Sequence, residues 1–195
     1  MRYSLKVELR DGGYTVKIVG VDASLTGTGV AVFEDGSLRT ERIESKQTGP
    51  KRLIEIRDRV KEIVRATGLV AIEGYAFAAA NQAHQIGELG GVLRVMLTEE
   101  TAKVNGPMKW IEVAPSQVKK FATGKGNAKK EEMAVGIFKR WGREFKNNDE
   151  ADAFVLALIG QAYLTDVTGL TAFQREVIEE LRNPRAKKKK ARKAS

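Results

Sequence analysis

Val19-Gly20-Val21-Asp22-Ala23-Ser24 is the stretch that decides the fold, because it places an acid where a short apolar strand ends. After a glycine-containing segment, a second apolar strand covers 30–33. Asp35-Gly36 is typical of a two-residue hairpin turn, and it leads into a third strand over 38–43. We therefore expect a meander of three antiparallel strands, with Asp22 at the end of the first.

The sequence pattern changes period after this meander. Apolar residues recur at helical spacing over 51–66, and Gly68 is expected to end that helix. Leu69–Ile72 then reads as a short buried strand that ends at Glu73, and 109–113 as another strand. A strand, helix and strand in succession predict a crossover to a parallel neighbour. The expected fold class is therefore α/β, with a mixed five-stranded central sheet of three meander strands and two parallel strands, flanked by helices.

Helices are also expected over 80–103, after Pro115, and over 128–143, 149–165 and 171–182. The first of these contains Gly87, Gly90 and Gly91, and each glycine costs about 1 kcal/mol relative to alanine inside a helix. Close approach of another helix would compensate for that cost. This helix is therefore expected to pack tightly, either within the fold or against a second subunit.

The length of 195 residues suits one domain. We expect a hairpin extension over 1–16, one α/β domain over 17–182 and a basic disordered tail over 183–195. The sequence contains no apolar run of the roughly 18 residues that a membrane span needs, and no secretory signal is visible. A soluble protein without a membrane partner is expected. The absence of cysteine excludes disulfides and thiolate metal sites, which favours cations that prefer oxygen.

The net charge of +9 is unevenly distributed. The tail carries seven basic residues and no acid, which leaves +2 for residues 1–182. Within the domain, residues 119–146 carry +6, whereas residues 147–182 carry −5. A cationic surface beside an anionic cluster suits a nuclease, because cations hold phosphates while carboxylates hold a metal. A solvated charged surface is the alternative explanation for the basic segment.

Four acids are candidates for one site. Asp22 and Glu73 each end an apolar strand, although a single acid in that position is usually a turn or cap residue. Asp149 and Asp152 lie three residues apart on the first turn of a helix that continues as an apolar run, although Asp149 also fits a helix N-cap. An unpaired carboxylate beside that run is costly unless a cation compensates its charge. Four such acids suit a two-metal phosphodiester hydrolysis.

These residues belong to an ordered set of motifs that resembles the RuvC family of Holliday junction resolvases over residues 17–165. The resemblance implies an RNase H-like fold, a homodimer, and two Mg²⁺ ions per active site, with Mn²⁺ as a substitute. It also implies paired symmetric nicks in a four-way DNA junction, in the cytoplasm of a bacterial or phage-infected cell. The motifs are Val19–Gly29, Ala71-Ile72-Glu73, Ala114–Lys119, Gly124–Lys130 and Asp149–Ala153.

The same resemblance implies roles for individual residues. Asp22, Glu73, Asp149 and Asp152 match the catalytic metal ligands of the family. Lys119 and Lys130 match lysines that lie near the scissile phosphate in the family. Lys125 and Lys129 belong to the same motif as Lys130, Gly124–Lys130. Phe77, or else Tyr75, lies where the family carries an aromatic residue that stacks on a junction base, and a core aromatic is the alternative. His84 is interpreted as a helix-surface residue.

Several other functions share some of these sequence features. Asp149-Glu150-Ala151-Asp152 matches a helicase motif, but the chain has no phosphate-binding Gly-x-x-x-x-Gly-Lys-Ser/Thr loop. Actin-like ATPases and sugar kinases begin with a similar strand, Asp and glycine-rich turn, but they need two such domains. A nuclease for other branched DNA and a junction-binding protein without catalysis stay open as alternatives.

Overall fold

The computed structural model describes residues 16–74, 83–103, 109–165 and 167–184. The hairpin predicted over 1–16 and the tail predicted over 183–195 lie almost entirely outside these residues. The strands are β1 Ile18–Asp22, β2 Thr28–Glu34, β3 Ser37–Ile43, β4 Leu69–Glu73 and β5 Lys109–Val113. The helices are α1 Gly49–Ile63, α2 Ala83–Lys103, α3 Pro115–Thr123, α4 Lys130–Trp141, α5 Asn148–Leu164 and α6 Ala172–Arg182.

The five strands form one sheet in the order β3-β2-β1-β4-β5. β1, β2 and β3 pair antiparallel, whereas β4 pairs parallel with β1, and β5 pairs parallel with β4. Asp35 and Gly36 both have positive φ in the β2–β3 turn, as the Asp-Gly dipeptide predicted. The predicted fold class, a mixed α/β sheet with three meander strands and two parallel strands, is confirmed.

Helices cover both faces of the sheet. Apolar side chains of β1, β2 and β4 that alternate along each strand pack against α1 and α2 on one face. On the other face, Ala71 and Val113 belong to a second cluster with α3, α4, α5 and α6. Because successive side chains of a strand point to opposite faces, this second face is also the face of Gly20 and Asp22. The core therefore consists of two apolar layers separated by the sheet.

Helix α5 contacts the sheet through backbone instead of side chains at two positions. A Cβ atom added at Gly20 would collide with the Ala153 carbonyl oxygen and the Ala157 amide nitrogen. A Cβ atom added at Gly29 would collide with the Asp149 carbonyl oxygen. These two glycines let α5 lie directly on β1 and β2, and they bring its first turn over the end of β1.

Two expected helix boundaries are wrong. The prediction that Gly68 ends the first helix fails, because α1 ends at Ile63 and the chain reverses at Ala66, which has positive φ. Gly68 donates its amide to the Lys17 carbonyl and packs against Val16 instead. The helix predicted to reach residue 143 ends at Trp141, because Gly142 adopts a left-handed conformation that closes it. Within the described residues, no helix combines the length and apolar character that a bilayer crossing demands.

Candidate active site

Asp22 and Glu73 end two neighbouring parallel strands on the same edge of the sheet. β1 and β4 pair in register up to Val21 and Ile72, so the next residue of each strand is the acid. Asp22 is 8% exposed, and its side chain is hydrogen-bonded to that of Glu73. Two carboxyl groups that share a hydrogen bond need at least one proton between them. The pair is therefore electrostatically unfavourable when both groups are ionised and no cation is bound.

The first turn of α5 brings Asp149 and Asp152 to this edge. Asn147 caps the helix by accepting a 2.9 Å hydrogen bond from the Glu150 amide, so Asp149 is not the N-cap. The backbone of Asp149 lies against Gly29, and Gly29 pairs with Asp22 in the β1–β2 ladder. The structure thus brings the first turn of α5 to the carboxyl end of β1.

Burial and neighbouring negative charge raise the pKa of three of the four acids. Burial, followed by the charges of Glu73 and Asp152, raises the pKa of Asp22 well above its usual range. Burial, followed by the charge of Asp152, raises the pKa of Glu73 to about 7. Burial also raises the pKa of Asp152 to about 6, against the opposing charge of Lys119. Negative charge is therefore concentrated at this edge beyond what the protein alone stabilises.

Within the described residues, no three acidic side chains already surround a common point in metal-binding geometry. The hydrogen bond between Asp22 and Glu73 directs these two carboxyl groups at each other, and Asp149 is paired with Arg42. The donor set still fits a hard cation, because it consists of carboxylate oxygens whose shared burial favours bound positive charge. Binding of such a cation would require small rotations of these side chains.

Two of the four predicted DNA-binding lysines act on this site. The positive charge of Lys119, from α3, lowers the pKa of both Glu73 and Asp152. Lys130, the first residue of α4, lowers the pKa of Asp152 as well. Both ammonium groups are therefore close enough to the acids to act on the same bound group.

Lys125 and Lys129 are exposed in the segment between α3 and α4. The Lys125 Nζ atom lies 3.2 Å from Glu132, and the Lys129 amide donates to Glu132 at 2.8 Å. Tyr75, Phe77 and the side chain of His84 lie outside the described residues. Their predicted roles stay predictions.

Arg42 is the site residue that sequence reasoning missed. Its Nε atom donates to Asp149 Oδ2 at 2.7 Å. The signal lay in the strand alternation: Arg42 shares the α5 face of β3 with Leu38 and Thr40, and Thr40 donates to Glu150 at 2.6 Å. The meander register also places Arg42 opposite Gly29.

The sheet order, with three antiparallel strands beside two parallel ones, defines the fold class as RNase H-like. The family model for crossover junction endodeoxyribonuclease RuvC matches residues 18–160. This chain therefore belongs to the RuvC family. The RuvC of Clavibacter michiganensis subsp. michiganensis is 30% identical over 158 residues, which cover 73% of this chain and 74% of the relative.

A solved structure of Thermus thermophilus RuvC is also similar, with 26% identity and a TM-score of 0.54. The match covers 73% of this chain and 92% of that one. A second structure, T. thermophilus RuvC in complex with Holliday junction substrate, has 24% identity and a TM-score of 0.56, and it supports the shared fold. That match covers 73% of this chain and 91% of the other.

Glu73→Gln is expected to stabilise the metal-free protein at pH 8. The pKa of Glu73 is about 7 in the folded protein, above its ordinary value of 4.5, so the folded state favours the protonated carboxyl group. Stability is therefore lost as the pH rises from about 4.5 through about 7, and glutamine, which cannot ionise, avoids that loss. We expect a gain on the order of 1–3 kcal/mol, measured as a higher Tm in EDTA.

Glu34→Gln is the matched control, because Glu34 is exposed at the end of β2. Its Tm should stay close to that of the wild type at every pH. The advantage of Glu73→Gln should also vanish near pH 4.5, because the carboxyl group of Glu73 is then protonated in the folded protein. A lower Tm for Glu73→Gln at pH 8 in EDTA would show that the carboxylate is not under electrostatic strain.

Proposed function

We propose that this protein is a structure-selective DNA endonuclease that resolves four-way (Holliday) junctions by paired symmetric nicks. The observation that carries the proposal is the group of four acids at the carboxyl ends of β1 and β4 and on the first turn of α5. Membership of the RuvC family supports the same activity, as does the solved complex of T. thermophilus RuvC with Holliday junction substrate. We assign the protein to the cytoplasm of a bacterial or phage-infected cell.

The four acids would hold two Mg²⁺ ions, with Mn²⁺ as a substitute. When bound, these ions supply a nucleophilic water and stabilise the leaving oxygen of the phosphodiester. Asp22, Glu73 and Asp152 carry raised pKa values, which supports this role because a cation relieves the cost of ionising all three. Asp149, which is paired with Arg42, would be the fourth metal ligand.

Lys119 and Lys130 would bind the phosphates next to the cleaved bond. Each lysine already lowers the pKa of an acid in the cluster, so both lie within electrostatic reach of the site. Lys125 and Lys129 are exposed in the same basic segment and would contact the DNA backbone farther away. Such contacts hold DNA without reading its sequence, which suits an enzyme that selects a shape.

Symmetric nicks need two active sites, and α2 offers a surface for a second copy. Gly87 has no atom near the position that its Cβ would take, so the close approach expected at this glycine is not made within the described chain. Gly91 and Val95 follow at four-residue intervals, on the same helical face. Val95 is 60% exposed although it is apolar. We propose that this face, defined by Gly87, Gly91 and Val95, packs against a second subunit.

The alternatives differ from this proposal in substrate or in catalysis. A nuclease with broader specificity for branched DNA would use the same four acids and lysines. A junction-binding protein without catalysis would gain nothing from the acids, since their charge repels DNA unless a cation is bound. The presence of these acids beside the basic segment therefore favours a catalytic role.

Asp152→Asn is expected to abolish cleavage and to preserve DNA binding. Replacing one ligand removes transition-state stabilisation, so the single-turnover rate on a four-way junction should fall by at least about a hundredfold. Junction affinity in EDTA should be equal or higher, because one negative charge is lost. Asp58→Asn, on the exposed side of α1, is the control and should cleave normally. Nicking by Asp152→Asn at the wild-type rate would refute the site.

Val95→Lys is expected to separate the subunits. A charged side chain would be buried at the proposed interface without a partner, which is strongly unfavourable. Light scattering should give the wild type twice the 21.5 kDa chain mass and the variant the single mass. Ile54→Lys, at a 48% exposed apolar residue of α1, should remain dimeric. A monomeric wild type, or a dimeric variant, would contradict the assignment of this surface.

A further inference from the structure

Arg42 belongs to a row of residues that crosses three strands towards the acids. In the β2–β3 ladder it lies opposite Gly29, and in the β1–β2 ladder Gly29 lies opposite Asp22. The middle position is glycine, which lets the backbone of Asp149 settle onto the sheet. Arg42 therefore reaches the first turn of α5 from β3, on the same face of the sheet as Glu73 but on the other side of β1.

Several contacts fix the guanidinium group. Nε donates to Asp149 Oδ2 at 2.7 Å, Nη2 donates to the Thr26 carbonyl at 3.1 Å, and Nη1 contacts Glu44. A Cβ atom added at Gly27 would collide with the guanidinium, so the backbone at Gly27 forms one wall of its position. Only 30% of the Arg42 side chain is exposed. The Arg42 side chain is half as exposed as that of Arg39, which is 60% exposed and forms a surface ion pair with Glu41 on the same strand.

The pairing has two physical consequences for Asp149. The planar guanidinium restricts rotation of the carboxylate and engages Oδ2, which leaves Oδ1 as the oxygen for a metal. The positive charge of Arg42 compensates part of the negative charge of Asp149, which weakens the attraction of Asp149 for a metal. The same charge also repels a divalent cation that approaches the cluster. The first effect improves orientation, and the second weakens metal binding.

We propose that Arg42 is a positioning residue that holds Asp149 for the cleavage reaction and lowers the affinity of the site for divalent metal. This role rests on the proposed function, because it takes Asp149 as a metal ligand. The two effects predict an unusual combination of changes when the guanidinium is removed. Metal should bind more tightly while cleavage becomes slower, whereas simple structural damage would weaken both.

The test compares Arg42→Gln, Arg42→Lys and the control Arg39→Gln with the wild-type protein. Mn²⁺ binding is measured without DNA at low salt, by electron paramagnetic resonance of the free ion. Single-turnover cleavage of a four-way junction is measured at saturating Mg²⁺. Circular dichroism and Tm in EDTA establish that each variant is folded. Asp149→Asn reports how much of the Mn²⁺ affinity depends on that acid.

Arg42→Gln should bind Mn²⁺ about threefold to tenfold more tightly, because one nearby positive charge is removed. Its cleavage rate should fall at least about tenfold, because Asp149 is less well oriented. Arg42→Lys should keep the wild-type affinity within about twofold, yet cleave more slowly, since lysine lacks the planar fork. Arg39→Gln should change neither quantity.

Unchanged or weaker Mn²⁺ binding by folded Arg42→Gln would overturn the proposal, and so would an unchanged cleavage rate at saturating metal. If the wild type bound Mn²⁺ and the Asp149→Asn variant bound it equally well, Asp149 would not be a ligand and the role of Arg42 would be wrong while the nuclease function stood. If the wild type bound no Mn²⁺, the proposed metal site itself would fail, and the role of Arg42 with it.

Discussion

Mutual repulsion among carboxylates at one edge of the sheet is the constraint on which the site depends. Asp22 is buried against Glu73, and Asp152 adds its charge from the first turn of α5. Burial raises the pKa of Glu73 to about 7, so ionisation of the cluster near neutral pH costs free energy. Positive charge from Lys119 and Lys130 offsets part of that cost. A divalent cation would offset more, and we interpret the site as one that is completed by metal.

The contact between α5 and the sheet enforces this crowding. Gly20 and Gly29 remove the side chains that would otherwise hold the helix away from β1 and β2. The rest of α5 is almost wholly buried from Ala153 to Ala162, which anchors the helix in that position. Apolar burial therefore stabilises an arrangement whose charges repel, as expected where function and stability conflict. Substitutions at these glycines would act on the site through the position of the helix.

Much of the fold was predictable because its signals are local. The strand that ends at Asp22, the Asp-Gly turn and the strand that ends at Glu73 are each readable within a few residues. Arg42 was not predicted, since its contact with Asp149 depends on the register across two strand pairs and on the missing side chain of Gly27. The convergence of the acids was inferred through the family resemblance, because spacing alone does not specify how α5 lies on the sheet. The predicted stacking of Phe77 on a junction base stays a prediction, because Phe77 lies outside the described residues.

The central claim is that the acids at the end of β1, the end of β4 and the start of α5 make a metal-dependent junction resolvase. The most direct measurement labels each strand of a synthetic four-way junction in turn and incubates it with the protein and Mg²⁺, beside a linear duplex and a fork. We predict paired nicks at symmetric positions in the four-way junction, no cleavage of the duplex, and no cleavage of any substrate in EDTA. Equal cutting of all three substrates, or binding to the junction without any metal-dependent nick, would contradict it.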